Sequence, residues 1–181
     1  MAVDVTTEIV INRPCGAVAA YAMNPANAPQ WYVNIKTVEW KTPPPLRVGS
    51  CVAFVAHFLG RRLAYTYEVV DLVAGRRMVM RTAEGPFPME TTYEFETVDG
   101  NGTRMRLRNR GAPSGFLTML GPAMAFAMRR ANRKDLARLK SLLEQAPSGG
   151  RKPRGSALAD SLTGATYRTN CQCRGGAVGV L

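Results

Sequence analysis

Residues 89–110 read METTYEFETVDGNGTRMRLRNR, and the alternation in this stretch decides the fold. Met89, Thr91, Tyr93 and Phe95 share one face of an extended segment, leaving Glu90, Thr92, Glu94 and Glu96 on the other. Beyond the turn-forming Asp99-Gly100-Asn101-Gly102, Met105 and Leu107 share a face, with Arg104, Arg106, Arg108 and Arg110 opposite. Two runs of period two joined by a short Gly/Asn/Asp turn mark an antiparallel hairpin with one buried and one wet face. A loop over Val98–Gly102 pairs Thr97 with Thr103, so Glu96 faces Arg104, Glu94 faces Arg106 and Glu90 faces Arg110. Such opposite-charge pairs contribute roughly 0.2–1 kcal/mol each. The arginine row is therefore expected to be a self-neutralised outer face rather than a nucleic-acid surface.

The same alternation recurs upstream. Strands are expected at Val3–Ile11, Ile35–Lys41, Gly49–Phe58, Arg62–Leu72 and Arg76–Ala83, besides Met89–Thr97 and Thr103–Arg110. Their separators, Pro43-Pro44-Pro45, Leu59-Gly60, Ala74-Gly75 and Gly85-Pro86-Phe87-Pro88, carry turn chemistry. Short links between consecutive strands predict an antiparallel meander. Pro14 opens a short helix after the first strand, because its missing N–H costs nothing at a first helical position. A brief second helix is expected at Ala28–Trp31. Downstream, a long helix is expected over residues 116–145, bent at Pro122. Ala125, Met128, Asn132, Leu136, Leu139 and Leu143 recur at spacings of three and four as its buried stripe. Arg129, Arg130, Arg133, Lys134, Arg138 and Lys140 are expected mostly toward water.

With 181 residues and 46% hydrophobic content, the chain can build one domain with a substantial core. The first eight residues carry Asp4 and Glu8 and no apolar core of a leader. The longest apolar run, residues 116–128, falls short of the roughly 20 that span a bilayer, so a cytoplasmic protein is expected. Of the net charge of +11, residues 147–181 supply five Lys/Arg against one Asp, and the first 146 supply nineteen Lys/Arg against twelve Asp/Glu. Beyond Ala146 the composition turns to Gly, Ser, Arg and Thr without period. Residues 1–146 are thus expected to form the domain and 147–181 a disordered basic tail. Cys15 and Cys51 stand alone in apolar stretches, Cys171 and Cys173 form a lone pair in the tail, and the single histidine, His57, is distant in sequence. No metal, disulfide or cofactor is expected.

Several short motifs sit at telling places: Ile9-Val10-Ile11-Asn12-Arg13-Pro14 before the first helix, Trp31, and Val48-Gly49 and Gly102-Thr103-Arg104 opening strands. Asp135-Leu136-Ala137-Arg138-Leu139-Lys140 with Glu144 lies in the last helix. With the order of elements, they make residues 3–145 resemble the START-like (SRPBCC) superfamily, in particular its polyketide cyclase/dehydrase and lipid-transport group. The resemblance implies an α+β helix-grip (START/Bet v 1-like) fold. In it a curved antiparallel sheet of about seven strands wraps a long C-terminal helix, two short helices follow strand 1, and an apolar cavity lies between sheet and helix. It implies no fixed catalytic set.

Tyrosines and methionines on inner faces suit an adaptable cavity better than a close-packed aliphatic core. The residues expected to contact a ligand are Trp31, Phe54, Phe58, Tyr65, Tyr67, Met78, Met80, Met89, Thr91, Tyr93, Met105 and Asn109. The helix segment adds Phe116, Leu120, Met124, Met128 and Asn132. Three readings stay open. The first is non-catalytic binding or transport of a lipid, fatty acyl, polyketide or isoprenoid compound. The second is a polyketide aromatase/cyclase or dehydratase, with Tyr65, Tyr67, Tyr93 or Asn109 polarising carbonyls or moving protons and Thr82 also facing inward. The third is an interaction protein using its basic surface on membrane or nucleic acid. No carboxylate is expected on an inner face apart from Asp71 at a strand end, which weighs against acid–base catalysis. His57 is expected on an outer or edge side. Arg76 either ends solvated or meets an acidic head group. Residues 116–128 form either the buried start of the helix or a gate touching anionic membrane. The expected partner is a hydrophobic small molecule, with weak association to an anionic membrane surface, no nucleic acid, and a monomeric or homodimeric state.

Overall fold

The element order is β1 (Val3–Ile11), α1 (Cys15–Met23), a 3-10 turn (Pro25–Asn27), α2 (Ala28–Trp31), β2 (Ile35–Trp40), β3 (Cys51–Phe58), β4 (Arg61–Val73), β5 (Arg77–Glu84), β6 (Met89–Val98), β7 (Gly102–Gly111) and α3 (Gly121–Gln145). This computed structural model describes residues 3–58, 60–111 and 121–145, with only the backbone of Phe58 and Gly121. The expected contacts at Phe116 and Leu120, the Phe58 side chain, Cys171, Cys173 and the tail lie outside the described residues. The chain divides into two units between Ala146 and Pro147.

The strands form one antiparallel sheet in the order β1-β7-β6-β5-β4-β3-β2. Every pairing from β2 to β7 joins sequence neighbours, as the short turns predict. β1 alone reaches across the chain to β7, with Val3 opposite Gly111 and Ile11 opposite Thr103. The β6–β7 register is the one expected from charge: Glu96 opposite Arg104, Glu94 opposite Arg106 and Glu90 opposite Arg110. β1 adds a second acidic row on the other flank. Arg106 lies 3.4 Å from both Glu94 and Glu8, and Arg108 holds Asp4 through two bonds of 2.9 and 2.5 Å. These pairs are solvent-exposed and each is worth little alone. Together they neutralise the sheet's outer face.

Bulges interrupt β2 between Ile35 and Thr37, and the β4–β5 pairing at Thr66/Tyr67 and at Val69/Asp71. An inserted residue bends a strand and reverses which side its later residues face. Val69, 1% exposed, still points into the core. After the second bulge Leu72 packs against that core instead of Asp71. Asp71 turns outward to Arg77 at 2.6 Å. The inner-face placement expected for Asp71 is thus corrected: strict alternation does not survive the inserted Val70.

Helix α3 is described from Gly121 onward, so the bend expected at Pro122 falls at the edge of the described residues. No described helix precedes it to be bent there. Of the expected stripe, Leu136 and Leu139 are buried in one core with Ile11, Trp31, Met105 and Leu107, Asn132 is also buried, and Ala125, Met128 and Leu143 are partly buried. The C-terminal end of α3 is tied down from the β1–α1 connection. Arg13 donates to the carbonyls of Leu143 (2.7 Å) and Glu144 (3.2 Å), and Glu144 accepts the Asn12 N–H at 2.7 Å. A cation on the last turn satisfies carbonyls with no partner of their own and complements the helix dipole. Lys140 adds a bond of 2.6 Å to the Val10 carbonyl.

Candidate functional site

The sheet and α3 do not meet along the whole helix. Leu136 and Leu139 seal the C-terminal half, whereas Met124, Met128 and Ala131 face a hollow. Its volume is about 670 Å³, within the usual range of ligand pockets. Among the described residues, β3 and β4 contribute Phe54, Leu63, Tyr65 and Tyr67. β5 contributes Met78 and Met80, β6 Met89, Thr91 and Tyr93, β7 Asn109, and α3 Met124, Met128 and Asn132. These strand residues reach one wall because they share parity on neighbouring strands whose register is fixed. Rings tile part of that wall, with Phe54–Tyr67 and Tyr65–Phe87 centroids 5.9 and 6.1 Å apart in edge contacts. Gly85 leaves room for the Tyr65 ring, since a Cβ there would stand 2.6 Å from Tyr65 Cδ1.

Two residues expected at a ligand lie behind the wall instead. Trp31 and Met105 are fully buried in the packed core. Trp31 stacks on Tyr32 at 3.9 Å, and it is Tyr32 that lines the hollow. Thr82 shares the parity of Met78 and Met80 but binds the Met89 backbone carbonyl at 2.9 Å across the β5–β6 turn, so it does not face the hollow. Arg76 lies before β5, exposed and off the wall, and His57 is likewise exposed. The cation that does line the hollow is Arg61, at the opposite end of the sheet's β3–β4 hairpin strand.

Asp135 is the main omission of the sequence reading and corrects its expectation of no interior carboxylate. It is 3% exposed, lines the hollow, and accepts the Val33 N–H at 2.9 Å. Helical spacing could have found it, three residues after Asn132 and four before Leu139. Burial pushes its carboxyl up to about 6, against the Val33 N–H and the charges of Arg138 and Lys134, which pull it down. Nearby, the Tyr32 and Tyr93 hydroxyls share a 2.6 Å hydrogen bond. Burial first, then neighbouring charge that includes Asp135, holds both phenols well above their ordinary value. They act as neutral donors and acceptors.

A second polar line bridges sheet and helix. Thr91 donates to Asn109 Oδ1 at 2.7 Å, and Asn109 Nδ2 donates to Asn132 Oδ1 at 3.1 Å. Asn132 Nδ2 has no partner among the described residues. A buried amide with an unfilled donor demands an acceptor. The described lining therefore combines greasy walls, neutral hydrogen-bonding groups, the Arg61 cation and one carboxyl able to exchange a proton near neutrality. Among the described residues no three His, Cys, Asp or Glu side chains gather as metal ligands.

A curled antiparallel sheet gripping one long helix over an apolar hollow defines a helix-grip protein of the hydrophobic-ligand-binding type. The chain belongs to the family described as polyketide cyclase / dehydrase and lipid transport, whose model matches residues 2–144. No curated protein matches it by sequence. Similar solved structures include a START superfamily protein from Mycobacterium smegmatis, 13% identical with a TM-score of 0.67, over 78% of this chain and 97% of that one. An aromatase/cyclase, Zhui, from Streptomyces sp. R1128 is 16% identical with a TM-score of 0.69, over 82% and 99%. The major latex-like protein 151 of Panax ginseng is 10% identical with a TM-score of 0.61, over 78% and 97%. At these identities the likeness is one of fold. No described helix is long and apolar enough to cross a membrane.

Proposed function

We propose that this protein binds and carries a hydrophobic small molecule, a lipid, fatty acyl, polyketide or isoprenoid compound, without changing it chemically. The observation that supports this is the hollow of about 670 Å³ whose wall is largely apolar and rich in Met and Tyr. Its polar groups are largely spent on one another, Tyr32 on Tyr93 and Thr91 on Asn109, rather than converging on one reacting atom. Intact-mass measurement of gently purified protein should show a retained apolar molecule, and a fluorescent fatty acid should be taken up and displaced by unlabelled lipid. A chain that retains nothing and takes up no probe refutes the reading.

Asp135 favours one rival, a cyclase or dehydratase acting on a bound poly-keto chain; the Zhui neighbour is an aromatase/cyclase. A carboxyl near 6 beside two neutral phenols can pass a proton to or from a carbonyl oxygen or the carbon α to it. The rival requires Asp135→Asn to abolish conversion of a poly-β-keto substrate while leaving its binding within a few-fold. The carrier reading requires no conversion by either form.

A further inference from the structure

The arginines of β5 and β7 and the cations in the first half of α3 differ in company, whereas Arg61 and Arg62 at the start of β4 also lack an ion pair among the described residues. Arg77, Arg81, Arg104, Arg106, Arg108 and Arg110 each stand within ion-pair distance of an acid. Arg129, Arg130, Arg133 and Lys134 have no such partner among the described residues, although four exposed cations crowd one side of one helix. Their spacing is i, i+1, i+4 and i+5, so Arg129–Arg133 and Arg130–Lys134 are like-charge neighbours one turn apart, which opposes helix formation. Phe126 belongs to the same face, three residues before Arg129, and is 68% exposed. The five side chains surround a shallow concavity of their own. The opposite side of this helical segment carries Met124 and Met128, which line the ligand hollow.

We propose that this face of α3 docks on an anionic lipid bilayer, with Phe126 entering the headgroup boundary and the four cations meeting lipid phosphates. Charge complementarity demands a polyanion, and the apolar ring among the cations chooses which. A phenyl group gains from the interface between headgroups and acyl chains, whereas the backbone of a nucleic acid offers it nothing. Docking here lays the helical wall of the hollow against the membrane, where apolar molecules reside. The proposal stands on the outer face alone, so it survives if the hollow proves to hold nothing.

The test is sedimentation of the full chain with phosphatidylcholine vesicles containing about 30% phosphatidylglycerol, in about 0.1 M salt. Each basic side chain at such a surface is worth about fivefold in partition, so Arg130→Gln/Arg133→Gln should lower binding about 25-fold. Phe126→Ser should lower it at least about threefold, a loss that a purely electrostatic contact would not show. A control, Arg151→Gln/Lys152→Gln, removes as much charge elsewhere and should change binding less than the helix pair does. All helix replacements are of exposed side chains, and circular dichroism checks that the fold is kept. Binding unchanged by both helix variants, or equal binding to pure phosphatidylcholine, overturns the proposal. So does a DNA duplex that binds the chain more tightly than the vesicles do and loses affinity in the arginine variant but not in Phe126→Ser.

Discussion

Ionised Asp135 is a cost the folded chain carries at neutral pH. Its carboxyl is raised from 3.8 to about 6, so the folded state binds the proton more tightly than the unfolded state does. Linkage then fixes the sign: stability from this group is fully present below about pH 4 and is lost as pH rises through 6. The whole step is on the order of 3 kcal/mol. Asp4 and Glu144 are held below their ordinary values by Arg108 and by the Asn12 N–H, and they push the opposite way as acid is added. The clean readout is thus a difference. Urea unfolding of Asp135→Asn against the parent should show the variant gaining on the parent, by that order of magnitude, between pH 4 and pH 7. A pH-independent difference would mean that Asp135 is solvated. The residue scale is also where sequence reading failed most. Two carboxylates exchanged places, because a bulge turned Asp71 out and a helical turn carried Asp135 in. Trp31 and Tyr32 exchanged roles because neighbours at the end of a short helix point in different directions. No one-dimensional period describes either case.

Among the elements, α3 divides into a structural half and a hollow-lining half. Leu139 has no exposed surface and packs in the main core, so Leu139→Ala should cost 2–5 kcal/mol in denaturant unfolding. Met128 borders empty space and gives up fewer contacts, so Met128→Ala should cost less than about 1 kcal/mol while altering affinity for an apolar probe. Equal costs would show the hollow to be closed in solution. Elements were the most legible scale. The β6–β7 register followed from matching Glu90, Glu94 and Glu96 to Arg104, Arg106 and Arg110, since each charge had one partner that left every apolar residue inside. Strand limits moved by one or two residues, as at β3, which begins at Cys51 rather than Gly49. Gly49 has a φ of 86°, a turn conformation that suits glycine and cannot continue a strand.

For the molecule as a whole, occupancy of the hollow and stability are one quantity measured twice. A ligand at a hundred times its dissociation constant should raise unfolding free energy by about 2.7 kcal/mol. Thermal melts against rising concentrations of a long-chain fatty acid should therefore climb steadily, and a flat response would exclude that class of occupant. The inward set of Tyr65, Tyr67, Met78, Met80 and Tyr93 was legible from alternation. The space left between them was not, because it depends on how far the bulges curl the sheet away from α3. Tertiary geometry of that kind has no local signature.

The pairing of β1 with β7 also sets an order of events. Ile11 and Thr103 are about 90 residues apart along the chain, and closing so long a loop earns nothing until the strands between have curled. The hairpins from β2 to β7 can zip locally and early, while β1, synthesised well before its partner, is the last to find its edge. Until then the β7 margin stands open, and a stray strand from another molecule could occupy it. Nascent chains stalled before Gly111 should accordingly be the ones most in need of a chaperone.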